Sequence, residues 1–343
     1  MINSCGLSNL GNTCYINTCI QLLTNVPIFN ELINKKIECS QYNEKIIDKD
    51  ILFQWRELQN QIHSNQPNIS PINYIKYIHT LANIKKREIF TGFSQNDMPE
   101  FLQFIIETAH NSIARPVKMA LEGTPKIYTD IVAIKCYNML NTIFTKEYSE
   151  ILDIFYGTMV STIVSIKTKQ VYNIIPQHFF ILNLPVYDGK KLATTLYECL
   201  ELYIKSEILE GENAWLNETT GQKENIIKLT HFWNFPPIVI ITLNRYTSDG
   251  SQKINSMIQI PMDNLDLTKY VNGYDALKYK YELIGIGNHM GGVNGGHYNA
   301  FIKNVNNEWF LYDDTNVSKV NNPENIISPS VYCLFYKIKN KVL

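Results

Sequence analysis

The apolar residues of this chain change their period part-way along it, and that switch limits the folds open to it. In the first third they recur at helical spacing: Tyr15, Ile16, Cys19, Ile20, Leu22 and Leu23, then Ile51, Leu52, Trp55 and Leu58, then Phe101, Leu102, Ile105 and Ile106. Proline, glycine and asparagine punctuate between them, as in Gln66-Pro67-Asn68. In the second half short strand-like runs take over: Phe179 to Leu184, Ile238 to Leu243, Tyr281 to Ile286, Tyr298 to Ile302, Glu308 to Tyr312 and Val331 to Ile338. One more helix fits Ala193 to Ile204. Helices first and strands later predict an α+β fold, not the alternating βαβ units of a parallel sheet. The 343 residues suit one large domain or two small ones, and no repeat, low-complexity tract or interdomain linker is visible.

Composition narrows the function classes. With 45% hydrophobic and 18% charged residues the chain reads as globular and long enough to bury its core without staples. A net charge of −1, with no basic run longer than Lys85-Lys86-Arg87, argues against a nucleic-acid partner. Met1 to Cys5 carries neither a cationic start nor an apolar stretch, so no signal peptide is expected. The longest solid apolar run, near Ile238 to Ile241, is far short of the ~20 residues of a spanning helix. The seven cysteines, Cys5, Cys14, Cys19, Cys39, Cys136, Cys199 and Cys333, are scattered, and no CxxC occurs. That usage fits a reducing compartment, cytoplasmic or nuclear, and gives little support to disulfides or a thiolate zinc site.

One of those cysteines has a nucleophile's setting. In Gly6-Leu7-Ser8-Asn9-Leu10-Gly11-Asn12-Thr13-Cys14-Tyr15 a loop rich in glycine and asparagine runs into a helix with Cys14 in its first turn. Free backbone N–H groups and the helix dipole favour a thiolate there, and the Asn9 amide is near enough to donate to an oxyanion. The competing reading is a buried structural cysteine behind an N-cap made by Asn12 or Thr13; for Cys19, on the apolar face, that structural role is the expectation. A nucleophilic cysteine needs a histidine and a group to orient it. His63, His79 and His110 read as surface residues, and His178 and His231 flank strand-like runs. His297 stands apart, between the glycine-rich Gly291 to Gly296 and a strand, and Trp309 to Asp314 is a second strand ending in two acids. A hairpin turning through Asn304 to Asn307 would bring Asp313 beside His297. A glycine-rich surface turn before an ordinary hairpin remains the alternative. Cysteine early and histidine late is the papain-like order.

These segments resemble a known family. Gly6 to Gln21 (GLSNLGNTCYINTCIQ) and Gly296 to Val317 resemble the Cys and His boxes of the ubiquitin-specific proteases. Ser94 to Leu102 resembles the SQQDAQEFL segment of that family, with Met98-Pro99 in place of Ala-Gln. Phe155-Tyr156-Gly157 with Ser161, Phe179 to Val186, PPIVIITLNRY (Pro236 to Tyr246) and Val331 to Tyr336 follow in the family's order, so the likeness spans nearly the whole chain.

The resemblance implies a papain-like α+β fold in a single catalytic domain over 1–343, with a helical thumb over about 1–120 and a palm and fingers over 121–343. It implies a cysteine protease that cleaves after the C-terminal glycine of ubiquitin through a thioester. Cys14 matches the nucleophile, His297 the general base, Asp313 the residue orienting it, Asn9 the oxyanion side chain and Asp314 a second acid. Asp97 and Glu100 match acids that meet the arginine-rich ubiquitin tail; Gln95, Gly296 and Tyr298 join them as substrate-contact candidates. Read without the family, Asp97 and Glu100 form a capping box at a helix start. Where many members carry two CxxC pairs binding zinc, this chain has Ser165, Thr168 and the cysteine-free Trp215 to Glu218, so metal-free fingers and no cofactor are expected. The expected partners are ubiquitin and ubiquitinated proteins, acted on by a monomer without nucleic acid or membrane. Two rivals are a non-catalytic ubiquitin-binding module of the same fold and a hydrolase for another ubiquitin-like protein.

Overall fold

In the computed structural model, residues 5–44, 46–217, 220–247, 249–292 and 295–339 are described, so Met1 to Ser4, Glu218, and Val293 and Asn294 of the glycine-rich segment lie outside the described residues. The helical periods become α1 (Cys14–Thr24), α2 (Pro27–Glu38), α3 (Asp50–Ile62), α4 (Ile72–Ile84) and α5 (Met98–Ile113). Their apolar faces converge through edge-to-face aromatic pairs: Tyr15 on Phe101 at 5.4 Å and Phe29 on Trp55 at 5.6 Å. At the centre lies α1, in which every residue from Cys14 to Leu23 is buried. Two further helices, α6 (Tyr128–Glu147) and α7 (Glu150–Phe155), continue the helical part to Phe155. The apolar pattern gave no warning of α6, which buries only Val132, Ala133 and Cys136. No helix among the described residues is long and apolar enough to cross a membrane.

Two main sheets follow. Four antiparallel strands run in the order β4 (Val171–Phe179), β3 (Gly157–Ser165), β9 (Ile226–Asn234), β6 (Glu207–Leu209). The larger sheet runs β15 (Asn316–Lys319), β14 (Trp309–Asp313), β13 (Gly295–Lys303), β12 (Lys280–Gly292), β16 (Val331–Ile338), β10 (Ile238–Asn244), β5 (Ile181–Pro185), with β11 (Leu265–Asp266) on β12. Its pairs are antiparallel except β10 with β5. Small pairs join β1 (Gly6–Leu7) to β2 (Asn68–Ile69) and β7 (Trp215–Asn217) to β8 (Gln222–Glu224). The expected helix over Ala193 to Ile204 is the shorter α8 (Leu196–Tyr203), capped by Thr195 Oγ1, which accepts from the Glu198 N–H.

The solid apolar run at Ile238 is explained by burial on both sides. Ile238 and Ile240 face the core shared with the helices, while Val239, Ile241 and Leu243 face a second core under α8. The run Phe179 to Leu184, read as one strand, is two. Phe179 ends β4 and joins the second core, Phe180 packs into the helical core, and β5 starts at Ile181 in the other sheet. A change of sheet within an apolar run leaves no polar residue to mark it.

Candidate active site

The N-terminal segment is tied to the far end of the sheet before α1 begins. The Gly6 N–H donates to Pro67 O at 2.9 Å and the Leu7 N–H to Asp314 O at 2.8 Å. Only glycine fits position 6, since a Cβ there would lie 2.3 Å from Thr315 O. The loop then curls around Asn9, whose Oδ1 accepts from the N–H groups of Gly11 and Thr13, both at 3.1 Å. Asn12 turns the chain into α1 from the left-handed region at φ 54°, which asparagine tolerates. Neither Asn12 nor Thr13 caps the helix through its side chain, contrary to the structural alternative. Thr13 Oγ1 accepts from the Leu10 N–H at 2.9 Å, and Asn12 Nδ2 donates to Phe93 O at 2.9 Å.

Cys14 therefore sits at an uncapped helix start, 3% exposed. The expected lowering of its pKa is not found. Burial pushes the thiol up, an N–H bond from the Tyr298 backbone pulls it back, and the Asp314 charge raises it again. Desolvation outweighs the helix start, so the resting side chain is a thiol. Cys19 is wholly buried and pushed well up by burial, as its structural role requires.

The second half of the site comes from the β13–β14 hairpin. Ala300 pairs with Tyr312, so His297 and Asp313 both project from the opposite face of the sheet. His297 Nε2 lies 2.5 Å from Asp313 Oδ1. A carboxylate only accepts, so the proton belongs to Nε2 and Nδ1 is left to take another. α1 packs on β13, so the helix that starts at Cys14 lies against the strand that carries His297. Asp314 does not pair with His297. In the left-handed region at φ 50°, its Oδ2 accepts from Asn9 Nδ2 at 2.9 Å and its Oδ1 from Asn17 Nδ2, on α1, at 2.8 Å.

Of the remaining candidates, Gln95, Asp97, Gly296 and Tyr298 line a cleft of about 540 Å³ with Tyr246, His289 and Tyr332, and Glu100 lies outside that lining. Gln95 bridges its two sides: Oε1 accepts from the Gly296 N–H at 2.9 Å and Nε2 donates to Asn12 Oδ1 at 3.4 Å. The predicted capping box is not formed. Asp97 occupies the N-cap position of α5, but its carboxyl turns inward to accept from Tyr332 OH at 2.9 Å and Tyr298 OH at 3.2 Å. Burial pushes its pKa up, and the two hydroxyls hold it down in part. Glu100 is exposed, and its side chain has no hydrogen bond or ion pair among the described residues. Sequence reasoning missed His289, Tyr332 and Lys253, which stand in strands and a loop with no motif to mark them. It also misjudged His79 and His110: His79 is half-buried against Phe93 at 5.3 Å, and His110 Nδ1 lies 2.7 Å from Ser149 Oγ.

His297, Asp313 and Asp314 are the one group of three among the described residues whose ligand atoms lie close enough to share a metal ion. The finger positions do not fit zinc. Ser165 Oγ accepts from the Thr168 N–H at 3.1 Å, and Trp215 stacks on Tyr172 at 5.7 Å, offering neither thiolate nor imidazole.

The family model described as ubiquitin carboxyl-terminal hydrolase matches residues 5–336. Ubiquitin carboxyl-terminal hydrolase 2 of Bos taurus is 25% identical over 339 residues, covering 97% of this chain and 55% of that protein. Ubiquitin carboxyl-terminal hydrolase 8 of Saccharomyces cerevisiae is 28% identical over 357 residues, covering 97% and 70%. The chain thus spans about half the length of the bovine relative. The solved SAGA Ubp8/Sgf11/Sus1/Sgf73 DUB module bound to ubiquitin aldehyde aligns with a TM-score of 0.73 at 25% identity, over 99% of this chain and 71% of that one. The fold is that α+β, papain-like fold, and the chain belongs to the ubiquitin carboxyl-terminal hydrolase family.

Proposed function

We propose that the chain is a deubiquitinating cysteine protease that hydrolyses the peptide or isopeptide bond after the C-terminal glycine of ubiquitin. The observation that carries this reading is the packing of α1 on β13: a thiol at an uncapped helix start lies against the strand of an imidazole whose Nε2 is held by Asp313. Since Cys14 rests as a thiol, His297 Nδ1 takes its proton as sulfur attacks the carbonyl. Asp313 fixes the imidazole and stabilises the imidazolium. The Asn9 amide and the Cys14 N–H receive the oxyanion, with Asp314 holding Asn9. Collapse breaks the C–N bond, and the amine leaves with the proton from His297. The thioester is then hydrolysed by water, activated by the same histidine, returning the thiol and a free ubiquitin carboxylate.

For the tail contacts, Glu100 is the acid for an arginine, a reading supported by its exposure and its lack of a partner among the described residues. Asp97 is engaged with two tyrosines and acts by shaping the cleft, as do Gln95, Gly296 and Tyr298. We further propose one catalytic unit with helical thumb, palm and zinc-free fingers, working as a monomer in the cytoplasm or nucleus. A fluorogenic ubiquitin C-terminal amide tests the reading. Wild type turns it over, and Cys14→Ala retains binding without turnover. Hydrolysis by Cys14→Ala within a few-fold of wild type refutes the nucleophile. No turnover by wild type, with ubiquitin still bound, favours a non-catalytic module. Turnover only of another ubiquitin-like protein shifts the substrate.

A further inference from the structure

The strand that sets the position of His297 loses its own neighbour where it matters. β12 pairs with β13 through His289↔Tyr298, Met290↔His297 and Gly291↔Gly296. On its other side β12 pairs with β16 only as far as Asn288↔Val331, where β16 begins. Beyond that point the carbonyls of His289 and Gly291 project toward a side with no strand to donate to them. Lys253 stands there instead. Its Nζ lies 2.6 Å from His289 O, 3.3 Å from Gly291 O and 3.1 Å from His289 Nδ1.

The base of this lysine is itself fixed. Arg245, wholly buried, donates to Ile254 O at 3.1 Å and Ser256 O at 2.8 Å, on either side of the residue after Ile254, and to Val331 O at 2.7 Å. One cation thus ties the Lys253 segment to the start of β16, and the next one bridges from that segment to β12. Burial, and then Lys253, hold the His289 ring at about 4, so it is neutral and its Nδ1 accepts from the ammonium. The ring stacks on Tyr298 at 4.6 Å, the residue that follows His297.

We propose that Lys253 is a positioning residue that stands in for the missing strand, clamping the end of β12 so that His297 keeps its register against Cys14. The proposal rests on the catalytic reading of that pair. The test compares wild type with Lys253→Met, which keeps the length and loses the donors, and Lys253→Arg, which keeps donors for the carbonyls. Amide exchange over 289–298 is read by mass spectrometry, and kcat and KM on the fluorogenic ubiquitin amide are read beside the melting temperature. Lys253→Met is expected to speed exchange of that segment, and to lower kcat, by about tenfold each, the scale of one charged hydrogen bond, with exchange in α5 and β10 unchanged. Lys253→Arg is expected to restore both to within about threefold. Unchanged exchange over 289–298, exchange raised equally everywhere, or a local rise with unchanged kcat overturns the proposal. If Lys253→Met does not fold, Lys253→Leu, which also lacks a donor, is read by the same criteria. If the wild type does not hydrolyse the ubiquitin amide, the catalytic reading fails, and the exchange measurement still decides the clamp.

Discussion

Replacing Asp314 by asparagine tests whether the Asn9 amide is held in place for an oxyanion. The backbone accepts the change, because asparagine adopts the left-handed φ of 50° that would strain alanine. Side-chain volume is nearly the same. What changes is the number of acceptors: the carboxylate receives Asn9 Nδ2 at 2.9 Å and Asn17 Nδ2 at 2.8 Å on separate oxygens. An amide can receive only one of them and turns its own N–H₂ toward the other. Asn17 is buried, with only longer bonds to Leu7 O at 3.3 Å and Ser8 O at 3.4 Å besides, whereas Asn9 is exposed to solvent, so the amide oxygen goes to Asn17 and Asn9 is released. One charge-assisted bond, worth about 1.5–3 kcal/mol, is lost at Asn9. That corresponds to a fall in kcat of about 10- to 100-fold, below the roughly 10²–10³ expected for removing an oxyanion donor outright. KM should stay within about threefold, because the interaction is made only in the transition state. Steady-state kinetics on the ubiquitin amide read the effect, and a double-mutant cycle assigns it. If Asp314 acts through Asn9, Asp314→Asn adds little to Asn9→Ala. Full additivity, or a kcat within about twofold of wild type, would refute the reasoning.

Asp313→Ala should lower kcat more than Asp314→Ala, since Asp313 is the acid 2.5 Å from His297 Nε2; the reverse order in the same assay means their roles are exchanged. Glu100→Gln should leave the melting temperature in place, because no cap is lost, and lower kcat/KM on ubiquitin substrates by about tenfold, the scale of a charged hydrogen bond; unchanged kinetics removes the tail contact. In a His297→Ala background, alkylation of Cys14 by iodoacetamide should keep rising with pH beyond the range of an ordinary cysteine. A thiol pushed up by burial gives up its proton only at higher pH, and a plateau near neutrality would contradict that direction.

The two boxes were legible because loop chemistry is local. Glycine and asparagine before an apolar helix mark Cys14, and a hairpin-length spacing marks His297 with Asp313. What was not legible depends on which element ends where. Lys253 reaches the carbonyls of His289 and Gly291 because β16 begins at Val331, so β12 has no strand on that side beyond Asn288. Asp97 and Glu100 have capping-box spacing, yet two tyrosines from β13 and β16 draw the Asp97 carboxyl away from the helix. The direction of the Cys14 pKa was misjudged because helix starts are visible in sequence while the depth of burial is not. The switch of sheets at Phe180 was hidden because both sides of it are apolar.

The burial of α1 on every side divides the site into a part that can drift and a part that cannot. Every residue from Cys14 to Leu23 is enclosed, so a change there meets packed neighbours and is penalised through stability before it can alter chemistry. Glu100 and Met290 are exposed, and their side chains touch little that holds the fold. On the proposed reading, new substrate preferences in a chain of this design are reached by reworking the exposed rim around a fixed Cys14. A mutational scan of stability against turnover would show the two classes as separate populations, with α1 almost wholly in the first.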